Sequence, residues 1–280
     1  MRVLVINMEK SKDRWNRISR ELEDLHVEFE RFPAVVGKQL SEDEINQCST
    51  LMARTIFCTH ASVGCALSHI NIWKKFINSG EDFICVAEDD ATFSEEFPKV
   101  MKDIPSIFKQ TDFDIFELYN DVITGGEPMY INNYYKIVTP NFGLATCCYI
   151  LSKKGAIKLY ELFGGKVSFT IDFHIALLNS LGKIKQLLLV DPEVVKPSSE
   201  ASTINNLNSG GIMNRILEGF ENAKEIKKYT NANTLNICMK YSISPYLVFL
   251  ISLFIISLLK KWYILAVIIG VEFVMLVNDV

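Results

Sequence analysis

No CxxC pair occurs among the seven cysteines of this 280-residue chain, which stand at positions 48, 58, 65, 85, 147, 148 and 238. An odd number of cysteines, several inside apolar runs, is the wrong pattern for a disulfide framework or a structural zinc site; it suits reduced, buried thiols in a cytosol-facing protein. There is no excess of basic residues either. Twenty-nine Lys and Arg against 33 Asp and Glu leave a formal charge of −4, which removes the general electrostatic reason to expect nucleic-acid binding, though it leaves room for a local basic site. A secretory leader is not expected, because the apolar start is too short for a signal core and runs into Glu9, Lys10 and Lys12. No internal repeat is visible. No glycine-rich loop follows the first apolar run: residues 7–11 read NMEKS, which counts against a nucleotidyltransferase acting on sugar phosphates.

What is present is core-forming material. Hydrophobic residues make up 49% of the chain, enough for one large α/β domain with an appendage or for two small domains, and too much for global disorder. Residues 2–8 read as an opening strand. Residues 11–25 carry Trp15, Ile18, Leu22 and Leu25 at helical spacing, and 27–36 read as a second strand turning at Gly37. A helix is predicted over 62–78, with Leu67, Ile70, Trp73, Phe76 and Ile77 on its buried face and Gly80 beyond its end. Further helices are predicted near 95–108, 153–163 and 171–181, and strands over 112–119, 144–151 and 187–190. Residues 130–138 fit an edge strand or a loop. Residues 198–211 (SSEASTINNLNSGG) are small and polar, compatible with a plain linker or with a lid over a bound substrate.

The stretch that organises the rest is 83–90, FICVAEDD. Five mostly apolar residues read as a buried parallel strand that ends abruptly in Glu88, Asp89 and Asp90. Ligands of open α/β sheets bind beyond the carboxyl ends of strands. Three acids there would repel one another and any phosphate unless a divalent cation neutralised them, and Mg²⁺ and Mn²⁺ prefer such hard oxygen ligands. An acid-x-acid clamp on a nucleotide diphosphate is one reading. The other is a strand followed by an acidic helix cap.

Two apolar runs close the chain, 243–259 and 262–277, interrupted by Lys260 and Lys261. One helix through both would be roughly 52 Å long, too long for a single span, so a hydrophobic helical hairpin, re-entrant or twice-spanning, is expected. Lys224, Lys227, Lys228 and Lys240 upstream favour a catalytic part on the cytoplasmic side of a membrane. The expected organisation is therefore 1–200 as the main domain, 201–242 as a polar segment with a basic juxtamembrane helix, and 243–280 as membrane-associated helices.

The order of these segments resembles glycosyltransferase family 25, whose members include bacterial lipooligosaccharide β-galactosyltransferases and collagen galactosyltransferases. Val5, Ile6 and Asn7 followed by Ser11 and Arg14 are similar to the family's opening strand and helix start. Phe32, Pro33 and Ala34 leading to Gly37 resemble its Phe-Asp-Ala-Gly turn. Gly64-Cys65-Ala66-Leu67-Ser68-His69 with Trp73 resembles its Gly-Cys-x-x-Ser-His…Trp helix. Glu88-Asp89-Asp90 resembles the Glu-Asp-Asp signature, residues 145–155 a later Tyr-x-Ile-Ser-x-Lys segment, and Ile171-Asp172 the family's Val/Ile-Asp. The likeness runs through about residues 2–200 in order, far more specific than any one motif. It departs at Asn7, where Ser is usual, at Pro33, where Asp is frequent, and at Lys196, where a Gln is usual. Those departures touch donor preference and acceptor rather than reaction class.

The resemblance implies a GT-A-like α/β fold, a Rossmann-type mixed sheet flanked by helices. It also implies inverting transfer of a sugar, galactose foremost, from a UDP-sugar donor to a glycan or lipid-linked glycan acceptor. A non-catalytic, membrane-tethered nucleotide-sugar-binding module on the same fold is the alternative. Transfer requires a metal to stabilise the departing diphosphate and a carboxylate to take the acceptor's proton. Glu88 and Asp90 are the candidate ligands for Mn²⁺ or Mg²⁺, with Asp89 pointing away or touching the ribose. Asn7, Arg14, Ser68 and His69 are candidate donor-site residues, each with a structural rival: packing for Ser68 and His69, a salt bridge for Arg14. Asp172 is the preferred base over Glu117, which would equally serve to hold an acceptor hydroxyl. His174 is a further candidate ligand that the resemblance does not carry.

Overall fold

The structure is a computed structural model and describes residues 1–51, 53–119, 122–144, 146–198, 235–237 and 241–243. Two compact units are distinguished, 1–221 and 222–280. In the first, β1 (Val3–Asn7), α1 (Lys12–Asp24), β2 (Phe29–Pro33), α2 (Glu42–Cys48), α3 (His60–Ile77), β3 (Phe83–Glu88), β4 (Ala91–Phe93) and α4 (Phe97–Gln110) follow in order. Then come β5 (Ile115–Glu117), β6 (Val122–Thr124), β7 (Pro128–Ile131), β8 (Tyr135–Val138), β9 (Phe142–Leu144), β10 (Cys148–Ser152), α5 (Lys153–Phe163), α6 (Ile171–Ser180), β11 (Gln186–Asp191) and β12 (Val195–Pro197). The second unit contains β13 (Leu235–Ile237) paired antiparallel with β14 (Tyr241–Ile243).

Eight strands make one mixed sheet in the order β2-β1-β3-β10-β5-β11-β8-β7. β1 runs parallel to both β2 and β3, while β10 enters antiparallel between β3 and β5. Because side chains alternate along a strand, each strand feeds both faces. Val3, Val5, Cys85, Ala87, Cys148 and Ile150 pack with Ile18 and Leu22 of α1 and Val100 and Ile104 of α4. Leu4, Ile6, Ile84, Val86, Tyr149 and Leu151 pack with Trp73 of α3, Leu159 of α5 and Ile175 of α6. The result is a large mixed sheet covered by helices on both faces, as such apolar strands require.

Local chemistry explains the helix bounds. The Thr59 hydroxyl accepts from the Ser62 N–H and starts α3 two residues earlier than its apolar spacing suggests. Ser152 caps α5 by accepting from the Gly155 N–H, and Gly164 ends it at φ +59°. The region read as an edge strand or loop over 130–138 is the β7–β8 hairpin at the sheet edge. Its turn uses Asn132 and Asn133 at φ +55° and +54°, a conformation asparagine tolerates better than other side chains with a Cβ.

Within the segment read as 201–242 with its basic juxtamembrane helix, and at its end, the described residues 235–237 and 241–243 form the β13–β14 pair, with period-two alternation in Leu-Asn-Ile and Tyr-Ser-Ile. The polar segment beyond Ser198 and the hydrophobic hairpin expected over 243–280 lie outside the described residues, Ile243 excepted. Among the described residues, no helix is long and apolar enough to cross a membrane.

Candidate active site

β1 and β3 end side by side, with Ile6 opposite Glu88, and the alternation within β3 decides what each acid meets. Glu88 continues the Ile84–Val86 series toward α3; Asp89 continues the Cys85–Ala87 series toward α1. The three consecutive carboxylates therefore do not converge on one point.

Asp89 is buried and both its oxygens are engaged. Asn7 donates to Oδ2 at 2.7 Å and Arg14 to Oδ1 at 3.0 Å. Arg17, one helical turn beyond Arg14, donates to the backbone carbonyls of Asp89 and Ala91 at 2.7 and 2.9 Å. Arg31 on β2 donates to Asn7 Oδ1 at 2.9 Å and to the Met8 carbonyl at 3.2 Å. Asn7, Arg14 and Asp89, expected to touch the donor, are thus tied to one another. Consistent with the salt-bridge reading of Arg14, the trio shapes the tip.

Glu88 is half-buried. Its Oε1 accepts from the Thr146 hydroxyl at 2.8 Å and lies 3.5 Å from His69 Nε2. Burial alone would push this carboxyl up, but the His69 imidazole, the Thr146 hydroxyl and the more distant Arg14 together hold it below the ordinary carboxylate value. His69 is fully buried, its Nδ1 2.8 Å from the Tyr149 hydroxyl, whose oxygen accepts the Trp73 N–H at 2.9 Å.

Asp90, also half-buried, is pushed up to about 6, first by burial and then by the charges of Glu88 and Asp89, against the pull of Arg14. Cys147 Sγ lies 3.9 Å from its Oδ1. The chain returns to this point late: β12 pairs with β4, and the Ser198 N–H donates to the Asp90 carbonyl at 2.7 Å.

Asp172 sits in the first turn of α6, half-buried, its Oδ1 accepting the Phe173 N–H at 2.8 Å. The Cys65 thiol reports its neighbourhood. Burial raises that thiol well above its usual value, and the charges of Glu88, Asp172 and Asp90 raise it further. Acids from the end of β3 and from the start of α6, distant in sequence, therefore act on one sulfur.

Other candidates lie apart. Ser68, expected at the donor, is buried between two backbones: it accepts from the Val35 N–H at 2.8 Å and donates to the Gly64 carbonyl at 2.8 Å. Its role is to dock the 35–37 turn on α3, where a Cβ on Gly64 would come within 2.5 Å of Val35 O and Gly37 N. Glu117 is buried two strands from β3, with Oε1 accepting from Gln186 at 2.6 Å, a setting that suits a packed network more than proton exchange with solvent. His174 packs between Phe163 and Phe169, ring centroids 3.9 and 5.6 Å away. Burial alone lowers it to about 4, with no carboxylate acting on it, so it does not belong to the acidic tip.

Sequence reasoning gives no role to Arg17, Arg31, Thr146, Tyr149 and Cys65, although Cys65 and Tyr149 stand inside the segments that carry the family resemblance. Spacing offers a further signal for two of them: Arg17 at i+3 from Arg14, and Cys65 at i−4 from His69, each placing a pair on one helical face.

Residues 1–175 match the family model described as glycosyltransferase family 25 (LPS biosynthesis protein). A glycosyltransferase 25 family member of Aedes aegypti is 25% identical over 167 residues, 57% of this chain and 28% of that protein. Procollagen galactosyltransferase 2 of Mus musculus is 29% identical over 169 residues, 56% of this chain and 27% of that protein. The match spans little more than a quarter of the length of these curated relatives. Among solved structures, S. aureus TarS 1-349 in complex with UDP-GlcNAc overlaps at TM-score 0.38 and 12% identity, covering 73% of this chain and 60% of that one. A197 from STIV overlaps at 0.39 and 10% identity, covering 68% and 82%. Overlaps this shallow carry no weight for the chemistry.

Proposed function

The chain belongs to glycosyltransferase family 25, and from that membership we propose that it transfers a sugar, galactose foremost, from a UDP-sugar to a glycan hydroxyl with inversion at the anomeric carbon. The mixed sheet is read as a GT-A-like domain. Beside the family match over residues 1–175, the observation that supports this reading is that β3 closes next to β1 and sets Glu88 and Asp90 at the carboxyl edge of the sheet, where ligands of such folds bind.

The donor set at the tip fits a hard divalent cation. Glu88 and Asp90 offer carboxylate oxygens only, and burial together with the charges of Glu88 and Asp89 pushes the Asp90 carboxyl up to about 6, a crowding of negative charge that a cation would relieve. Asp89 is excluded as a ligand, since Asn7 and Arg14 already hold both its oxygens. Glu88 and Asp90 would hold Mn²⁺ or Mg²⁺, which when bound supplies charge stabilisation for the departing diphosphate.

The remaining steps belong to the chain. Asp172 takes the proton from the acceptor hydroxyl as that oxygen bonds to the anomeric carbon, while the bond from that carbon to the diphosphate oxygen breaks on the opposite face. The Phe173 N–H on Oδ1 fixes the carboxylate's orientation. Thr146 and His69 orient Glu88; Asn7, Arg14 and Arg17 hold the strand ends against which the donor is positioned. A lipid-linked glycan at the cytoplasmic face of a membrane is the acceptor favoured by the apolar runs over 243–280.

The test is UDP release by the purified chain from UDP-galactose and a panel of other UDP-sugars, with Mn²⁺ or with a chelator, for the native protein and Asp90→Asn. Turnover that requires the cation and disappears in the variant is expected. Undiminished turnover in chelator or in the variant would overturn the clamp. Deleting 243–280 and fractionating cells tests the membrane assignment, which an unchanged distribution would remove.

A further inference from the structure

Cys65 and His69 stand one helical turn apart on α3, and Glu88 closes β3 opposite them. One ligand atom from each residue lies within 4.8 Å of the others. This is a compact group of sulfur, nitrogen and oxygen donors drawn from two rigid elements. We propose that Cys65, His69 and Glu88 form a binding site for a thiolate-seeking transition-metal ion of the Zn²⁺ class, distinct in chemistry from a hard-cation site at Glu88 and Asp90.

His69 supplies the independent observation. Its Nε2 is sealed from solvent and has no hydrogen-bond partner among the described residues, although the side chain is completely buried. The nearest acceptor, Glu88 Oε1, is 3.5 Å away, too far for a good hydrogen bond. A fully buried imidazole nitrogen whose nearest polar neighbour, Glu88 Oε1, stands at 3.5 Å is poorly satisfied as it stands, and a metal ion between them and the thiol would satisfy it better.

The opposite ring nitrogen is already arranged as a metal-binding histidine requires. Nδ1 faces the Tyr149 hydroxyl at 2.8 Å, and Tyr149 is itself held by the Trp73 N–H. With the proton on Nδ1 donated to that oxygen, the Nε2 lone pair points into the trio. Such outer-shell bonds commonly fix the tautomer and orientation of a liganding imidazole.

Chemistry then selects the ion. Zn²⁺ takes cysteine sulfur, histidine nitrogen and carboxylate oxygen together, with a fourth position left to water in open sites. Mg²⁺ and Ca²⁺ take oxygen ligands and gain little from the sulfur. Access is available, because Cys65 and Glu88 are half-buried while His69 is not reachable from solvent. Binding replaces the thiol proton, which is released to solvent as the metal–sulfur bond forms.

Zinc at this trio requires nothing of the transfer chemistry. The two sites share Glu88, so zinc occupancy is expected to inhibit any transfer that uses Glu88 and Asp90.

The experiment uses the full chain freed of metal by chelation and then titrated with Co²⁺, a spectroscopic substitute for Zn²⁺. One equivalent is expected to bind with a thiolate-to-cobalt charge-transfer band, which excess Zn²⁺ removes and Cys65→Ser lacks. A second measurement needs no variant. At zinc ten times its Kd, alkylation of Cys65, followed by peptide mass spectrometry, should slow about tenfold while Cys48 is unaffected. No charge-transfer band at saturating Co²⁺, a band persisting in Cys65→Ser, or equal alkylation with and without zinc would each overturn the site. Loss of sugar transfer by Asp90→Asn with an intact cobalt band would separate the two metal sites; failure of both readouts would discard both.

Discussion

Asn7 donates its side-chain N–H to the Asp89 carboxylate at 2.7 Å, tying the last residue of β1 to the residue just past β3 across 82 positions of sequence. The bond is buried, and Arg14 completes it from α1. Adjacent acids consequently have opposite duties: Asp89 is framework, and Asp90 is the half-buried acid at the end of the tip.

That division predicts opposite phenotypes. Asp89→Ala leaves a half-buried guanidinium and a buried amide without their carboxylate and should lower stability by about 2–3 kcal/mol. Asp90→Ala relieves repulsion from Glu88 and Asp89, so stability should stay within about 0.5 kcal/mol or rise, while transfer falls by about 10²-fold or more. Urea titrations beside UDP-release assays compare them; equal stability losses would refute the division.

Asp172→Asn keeps the side chain's size and its bond to the Phe173 N–H but removes the proton acceptor. Turnover should drop about 10²–10⁴-fold with donor affinity unchanged. Weaker UDP-sugar binding by calorimetry, with normal turnover, would assign Asp172 to the donor instead.

Gly64→Ala would stabilise an ordinary helix by about 1 kcal/mol. Here the new Cβ would lie 2.5 Å from Gly37 N and from Val35 O, so backbone must move and the Ser68–Val35 bond is strained. A loss of about 2–4 kcal/mol is expected. Thermal unfolding of the variant decides it, and any rise in Tm would contradict the close approach.

The pH dependence follows from His174, which burial lowers to about 4. An unfolded histidine takes up its proton near pH 6.5, so between about 6.5 and 4 the unfolded chain binds a proton that the folded chain refuses. Stability therefore falls as pH drops through that window, and this residue contributes no loss above it. His174 is only partly buried, and after screening by solvent the loss is about 1–2 kcal/mol. Unfolding midpoints at pH 7.5 and 4.5 should differ less in His174→Phe than in the native chain. Identical differences would show that His174 is free to protonate in the fold.

Local pattern made much of this legible. The periodicity of Trp15, Ile18 and Leu22 predicts α1, and the Gly164 stop predicts the end of α5, because both signals lie within a few residues of what they determine. The strand read over 112–119 shrinks to Ile115–Glu117, since Asp114 is drawn instead into bonds with Lys158 and the Lys185 N–H. Within the site, the acidic triplet was visible but its division of labour was not. Which acid is framework depends on Asn7 and Arg14, and His69's orientation depends on Tyr149, 80 positions away. Such partners are set by sheet order, and the antiparallel entry of β10 between β3 and β5 has no local signature.

The alternation along β3 makes the count of residues as important as their identity. Removing one residue from 84–87 would turn every later side chain to the other face. Asp89 would then take the place beside the imidazole, Asp90 the place that meets Arg14, and Glu88 the buried place where Ala87 now packs. Length change in this strand is thus a different kind of lesion from substitution: it would leave all three acids in place and exchange what they are for.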